Sequence, residues 1–289
     1  MTTRFEHHAS FPLPVHPERA FRALVEPVEL ARWFAEHARV EPRPGGAFRF
    51  WGRATPGTAT ERDATQTTLA IEPGRAIAFS WTLWGAPTEV RWTIEAAEDG
   101  SKLDVVHVIS GELPFANAKH AIDDLWRLHA GNLRAHLGGG DHVVLPDFTT
   151  DKPEVRVVIE IAAPPAKVFR ALLDPAILDR WLHATARVDV ASGEYSYGWN
   201  YDVDGKPVVG GPTRIIELVE NNKLVHDWTD WRNDPAKPLT RVTWLLEPLA
   251  GGARTRLTLV HDGFAHPVDR SDYQQGWQGF LSALPAALA

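Results

Sequence analysis

The stretch AFRALVEPVELARWF at residues 20–34 returns as VFRALLDPAILDRWL at residues 168–182. Phe21 matches Phe169 and Trp33 matches Trp181 at one offset of 148 residues, without a gap. Such a repeat constrains the fold more than any local preference, because two copies of one element imply two copies of the domain that buries it. The correspondence continues through both halves. ARV at 38–40 recurs at 186–188, and GGAFRF from Gly45 recurs loosely as SGEYSY from Ser192. IAFSWTLW from Ile77 answers LVHDWTDW from Leu224, Trp92 answers Trp244, and LDVVHV from Leu103 answers LTLVHD from Leu257. Each half closes on a tryptophan and spaced leucines, Trp126, Leu133 and Leu137 against Trp277, Leu284 and Leu288. With 289 residues there is room for two domains of ordinary size. The expected division is a first domain over 1–138, a Gly- and Pro-bearing linker over 139–152 and a second domain over 153–289.

Both halves show the same order of elements. EVRVVIEI alternates, with Val155, Val157, Ile159 and Ile161 on one strand face. Phe169, Leu172 and Leu173 then form a helical stripe, which Pro175 interrupts before a second short helix carrying Leu178 and Trp181. YSYGWNYDV reads as a strand with Tyr195, Tyr197, Trp199 and Tyr201 on one face, and RTRLTLVH groups Leu257, Leu259 and His261. A terminal helix ends each half. Strand, two short helices, antiparallel strands and a long helix make an α+β domain whose curved sheet covers one face with that helix.

Composition excludes several classes of function. The net charge of −7 and the scattered Lys and Arg give no support for a nucleic-acid partner. No apolar run reaches the roughly 18 residues of a membrane span, and MTTRFEHHAS lacks the plan of a secretory signal. The absence of cysteine removes disulfides, thiolate zinc sites and thiol nucleophiles, and agrees with a cytoplasmic location. HExxH, GxSxG, GxGxxG and P-loop motifs are absent, so no catalytic residue, metal site or cofactor is assigned.

FRALxxPxxLxRW, the Gly-aromatic strand, RTRLTLVHDGF from Arg254 and GWQGFLSAL from Gly276 together resemble the START-like, helix-grip superfamily. Within it they are most similar to the domain shared with the activator of heat-shock protein 90 ATPase. The resemblance covers both halves and implies two tandem helix-grip domains, each with a sheet gripping a helix around an apolar cavity. Members of the superfamily variously bind lipids, assist a chaperone or cyclise polyketides, so the fold alone does not choose a function.

Tryptophan is the most unusual feature, at twelve residues. Trp81, Trp92, Trp228 and Trp244 fall on strand faces expected to point inward, where indole offers a flat wall and one N–H donor to a ring or acyl chain. Filling of the core is the competing reading, and Trp33 and Trp181 on the short helices are assigned to structure. Tyr197 and Trp199 extend the candidate wall in the second half. His107 and His261 occupy equivalent strand positions, where an imidazole either meets a ligand or is bonded to a nearby carbonyl. His226 stands where the first half has Phe79, a polar replacement in one copy only, and is favoured as a ligand contact. Gly276 precedes Trp277 where Leu125 precedes Trp126; glycine inside a helix costs about 1 kcal/mol relative to alanine, so the space beside it is expected to be wanted. A larger cavity is therefore expected in the second domain and a mostly plugged one in the first. Asp123, Asp124 and His129 are expected on a solvated helix face, and Asp227 and Asp230 at the surface.

The leading reading is a non-catalytic tandem binding protein whose second half accepts an apolar or aromatic small molecule. One alternative is a chaperone-interaction module acting through an exposed surface. Another is a polyketide-cyclase-like enzyme in which His226 or His261 works with a carboxylate.

Overall fold

Period-two burial begins each repeat, in β1 (Arg4–Leu13) and β8 (Val155–Ile161). The computed structural model describes residues 4–139, 143–203 and 205–288. The chain divides into two compact units, one running to Asp151 and taking in Pro267–Gln275, the other comprising Lys152–His266 and the chain from Gly276.

In the first unit β1 pairs with β7 (Gly100–Ser110), followed outward by β6 (Ala86–Ala97), β5 (Ala76–Leu83) and β4 (Thr68–Glu72), all antiparallel. Alternation buries Leu103, Val105, His107 and Ile109 on β7 and Val90, Trp92 and Ile94 on β6. A separate ribbon pairs β2 (His37–Val40) with β3 (Phe48–Trp51). The long helix α3 (Ala118–Leu137) buries Ile122, Leu125, Trp126, His129 and Leu133. Each of the aliphatic side chains among these contributes about 2 kcal/mol on removal from water. Residues from the far end of the chain complete this unit. Val268 is fully buried in its core, Arg270 donates to the Asp147 carbonyl, and Gln275 Nε2 donates to Asn132 Oδ1 at 2.7 Å. Asn132 also exchanges two hydrogen bonds with the Val144 backbone, which ties that stretch to α3.

The two short helices behave alike in both units. α1 (Pro17–Val25) gives way to α2 (Pro27–Trp33), and α4 (Pro165–Ala171) to α5 (Pro175–Leu182). The residue before each second proline is driven out of helical space, Glu26 to φ −83°, ψ 123° and Asp174 to φ −80°, ψ 114°. Trp33 Nε1 then donates back across the break to Ala23 O at 3.0 Å, and Trp181 Nε1 to Ala171 O at 3.2 Å. The structural assignment of these two tryptophans is thus met by the same bond in each repeat.

In the second unit the sheet order is β13 (Ile215–Val219), β14 (Lys223–Trp228), β15 (Thr240–Leu249), β16 (Arg254–Asp262), β8, again antiparallel, and α6 (Ser271–Ala287) buries Trp277, Leu281 and Leu284. β9 (Arg187–Asp189) pairs with β10 (Glu194–Ser196). The continuous aromatic strand read from YSYGWNYDV is interrupted: Gly198 turns the chain at φ +66°, and β11 (Asn200–Val203) leaves to pair with β12 (Lys206–Val209). A Cβ at Gly198 would run into the Thr185 carbonyl, so only glycine fits this corner. Each unit is a helix-grip domain, and the chain is α+β throughout.

Candidate ligand-binding site

β14 carries His226 and Trp228 inward, β15 carries Trp244, β16 carries His261, and α6 meets them with Trp277. All five are buried. Trp277 Nε1 donates to His261 Nδ1 at 3.1 Å. Because indole only donates, His261 carries its proton on Nε2, which lies 2.7 Å from Thr240 Oγ1, and that hydroxyl reaches the Trp228 carbonyl at 3.3 Å. Trp244 Nε1 donates to His226 Nε2 at 3.1 Å, and His226 Nδ1 donates to the Asp227 carbonyl at 2.8 Å. Burial lowers the His226 pKa to about 4 against the opposing pull of Asp227, and burial holds His261 well below its usual value. Both imidazoles are neutral, with each nitrogen engaged by the protein.

Around this network the rings of the second unit run in series. Centroids lie 5.4 Å apart for Tyr195 and Tyr197, 5.0 Å for Tyr197 and Trp199, 5.9 Å for Trp199 and Trp228, and 4.9 Å for Trp228 and Trp277. Tyr195 donates to Leu172 O at 2.7 Å, and burial raises the pKa of both tyrosines. Trp199 is half-buried, donates to Leu182 O at 3.2 Å and stacks on half-buried Phe280 at 5.1 Å and 22°. One helical turn before Phe280 lies Gly276, which is exposed; a Cβ there would meet nothing within 4 Å. Its counterpart Leu125 is fully buried. Tyr197, Trp199, His226, Trp228, Trp244 and His261 therefore share one aromatic interior, with Gly276 at an open position on its helix. Phe280, absent from the sequence-based set, belongs with Trp199; its placement four residues after Gly276 on a helix was the available signal.

The first unit repeats part of this arrangement. Trp126 Nε1 donates to His107 Nδ1 at 3.1 Å, and Trp81 lies parallel to His107 at 5.9 Å. Phe79 stands 4.8 Å from Trp92 where the second unit has His226, and the Trp92 indole N–H has no acceptor among the described residues. Burial lowers the His107 pKa to about 3, with a smaller contribution from His7.

Three carboxylates and one histidine depart from their expected surface positions. Asp227 is buried and accepts from Thr213 N at 2.7 Å, Thr213 Oγ1 at 2.5 Å and Arg214 N at 2.9 Å, clamping the approach to β13 against β14. Asp230 is buried 3.3 Å from Lys237 Nζ. Asp124 and His129 are each 1% exposed, His129 lying 4.4 Å from the Phe34 ring. Asp123 stays partly exposed, 3.8 Å from His7 Nε2. Among the described residues no group of three His, Asp or Glu is placed to hold a metal ion, and no helix is long and apolar enough to cross a membrane.

No functionally curated protein matches the chain. Among solved structures it is similar to DynU16, a protein of the dynemicin biosynthetic locus, at 16% identity and TM-score 0.40 over 98% of this chain and 97% of that one. The di-domain ARO/CYC BexL of the BE-7585A biosynthetic pathway aligns at 14% identity and TM-score 0.36, covering 99% and 97%. The protein MLL2253 from Mesorhizobium loti aligns at 28% identity and TM-score 0.36, covering 46% of this chain and 96% of its own. The family described as Activator of Hsp90 ATPase homolog 1-like protein matches residues 14–138 and again 162–289. Through both of its repeats, this chain belongs to that family.

Proposed function

We propose that the second domain binds a flat aromatic or otherwise apolar small molecule, without catalysis, against Trp199 and Phe280 and beside Gly276. Tyr197 and Trp228 continue the wall inward, and it is braced by two indole-to-imidazole hydrogen bonds, Trp244 to His226 and Trp277 to His261. The observation that carries this reading is the exchange of buried Leu125 for exposed Gly276, which leaves open the helix position one turn from the stacked pair. Aromatic walls with few polar groups suit ligands held by area and stacking. Cyclase-type chemistry needs a histidine with a nitrogen free to exchange a proton with substrate, and both nitrogens of His226 and of His261 already have protein partners. A chaperone-contact role has no comparable feature in its favour.

Tryptophan fluorescence titrated with fused-ring aromatics and with fatty acids tests the proposal. Saturable quenching is expected for the wild type, and Gly276→Leu should weaken it by at least about tenfold, a loss of about 1.4 kcal/mol. Unchanged affinity in Gly276→Leu, or no saturable ligand in either class, overturns the reading.

A further inference from the structure

The β2–β3 ribbon of the first domain turns Phe48 and Phe50 into the core, so alternation sends Arg49 and Trp51 to its outer face. The pairing register sets Arg39 directly opposite Arg49 and His37 directly opposite Trp51, whose rings stack at 5.4 Å and 27°. Directly opposed residues of an antiparallel pair have Cβ atoms about 5 Å apart, and like charges there destabilise the pair. The carboxylate on this ribbon does not relieve the repulsion. Glu41 accepts from Arg39 Nη2 at 3.2 Å and from Arg43 Nη2 at 3.0 Å, while half-buried Arg49 makes no ion pair or hydrogen bond through its side chain with any described residue. Arg53, two residues past Trp51, is by contrast held by Glu36 and Asp147. From residue 37 to residue 51 three guanidiniums thus share one carboxylate, in a chain whose net charge is −7.

The second repeat shows that the ribbon does not need this pair in order to form. There Ser196 stands opposite Arg187 where the first repeat has Arg49 opposite Arg39, and Asp189 stands opposite Glu194. Residues 185–198 carry that one arginine against those two carboxylates, so the excess charge changes sign between the copies. An opposed pair of guanidiniums that weakens its own ribbon, with one member left unpartnered by the fold, is arranged for an anion that accepts from both. From this pair we infer a second binding site, on the outer face of the β2–β3 ribbon, for a small phosphate monoester carrying an aromatic ring. Two guanidiniums without a full countercharge match a dianion, and the N–H forks of Arg39 and Arg49 meet its phosphoryl oxygens. The next pair on the same face, about 7 Å along the strands, is the His37–Trp51 stack, and its exposed imidazole offers the ligand's ring a flat surface. The site uses none of the residues assigned to the second domain and lies on the face of the ribbon turned away from the core.

Calorimetric titration of the full-length protein with phenyl phosphate and with inorganic phosphate tests the inference. Phenyl phosphate is expected to bind saturably and more tightly than inorganic phosphate, and to weaken as sodium chloride is raised from about 20 to about 200 mM, since the pair is open to solvent. Arg49→Ser, which installs the residue of the second repeat, should weaken phenyl phosphate by at least about tenfold through loss of one charge-assisted fork. Arg254→Ser, which removes a surface charge of the same sign from the second domain, should leave the affinity unchanged, and so should Gly276→Leu. Phenyl phosphate should also raise the melting temperature of the wild type and not that of Arg49→Ser, whose own cooperative melting shows that it is folded. No saturable binding of phenyl phosphate, or the same affinity in Arg49→Ser, overturns the inference, and equal affinities for the two phosphates overturn the assignment of the ring to the His37–Trp51 stack. Self-association in ultracentrifugation that Arg49→Ser abolishes, without phenyl phosphate binding, would give the arginine pair to a second copy of the chain and likewise overturn it. Each of these outcomes leaves the second-domain reading untouched.

Discussion

The exchange of Phe79 for His226 between the two repeats shows how one residue changes the hydrogen bonding of an interior. In the second domain His226 supplies an acceptor for the Trp244 indole and a donor for the Asp227 carbonyl; in the first, Phe79 leaves the Trp92 N–H with no acceptor among the described residues. His226→Phe should therefore destabilise the second domain by about 1–3 kcal/mol, the usual cost of stranding a buried donor. Urea unfolding followed by tryptophan fluorescence checks this, and an unchanged midpoint would mean that the two bonds contribute nothing net. The choice of histidine was visible in the alignment of the two halves. Its partners were not, because the acceptor role depends on the adjacent strand placing Trp244 beside it, a relation that no spacing in one chain reveals.

The short helices were the most legible elements, since proline at 27 and 175 stops one helix and starts the next by rules local to a few residues. The second of them has a side-chain cap that the first lacks: Asp174 Oδ1 accepts from Ala176 N at 3.1 Å, whereas Glu26 makes no such bond. Asp174→Ala should cost about 1 kcal/mol of stability, read from thermal unfolding, while Glu26→Ala should cost less. Equal effects would assign the difference to the Arg ion pairs that both positions share. The aromatic strand was legible only in part. Alternation puts Tyr195, Tyr197, Trp199 and Tyr201 in one series, and their rings do follow one another, but Gly198 is a corner against the Thr185 carbonyl and Tyr201 lies beyond it on the separate β11–β12 ribbon. Burial of Asp227, Asp230, Asp124 and His129 was missed for a related reason: charge and polarity predict exposure only until a backbone amide or a neighbouring sheet claims the side chain.

Across the whole molecule, duplication was readable from end to end because its landmarks are large side chains in an unbroken order, and the α+β helix-grip architecture followed from them. Among the described residues, four buried neutral histidines give this architecture a pH dependence. Unfolded imidazoles ionise near 6.5, while burial lowers His226 to about 4, His107 and His129 to about 3, and His261 well below its usual value. The unfolded chain therefore binds more protons below pH 6.5, and the stability these groups contribute is complete above that pH and falls as acid is added toward pH 4 and 3. Glu29, where burial opposes ionisation but hydrogen bonds from His136 and Arg19 prevail, loses its contribution only below 4.5. Unfolding midpoints should thus drop between pH 7 and pH 5, and a flat profile over that interval would overturn the assignment of these imidazoles as neutral in the native state.

The membership of Pro267–Gln275 in the first unit has a consequence for biosynthesis. Val268, Arg270 and Gln275 leave the ribosome after every strand of the second sheet, yet the first unit holds them in its own interior and on its own helix. A nascent chain released after residue 152 would lack these side chains, so completion of the earlier half waits for translation of the later one.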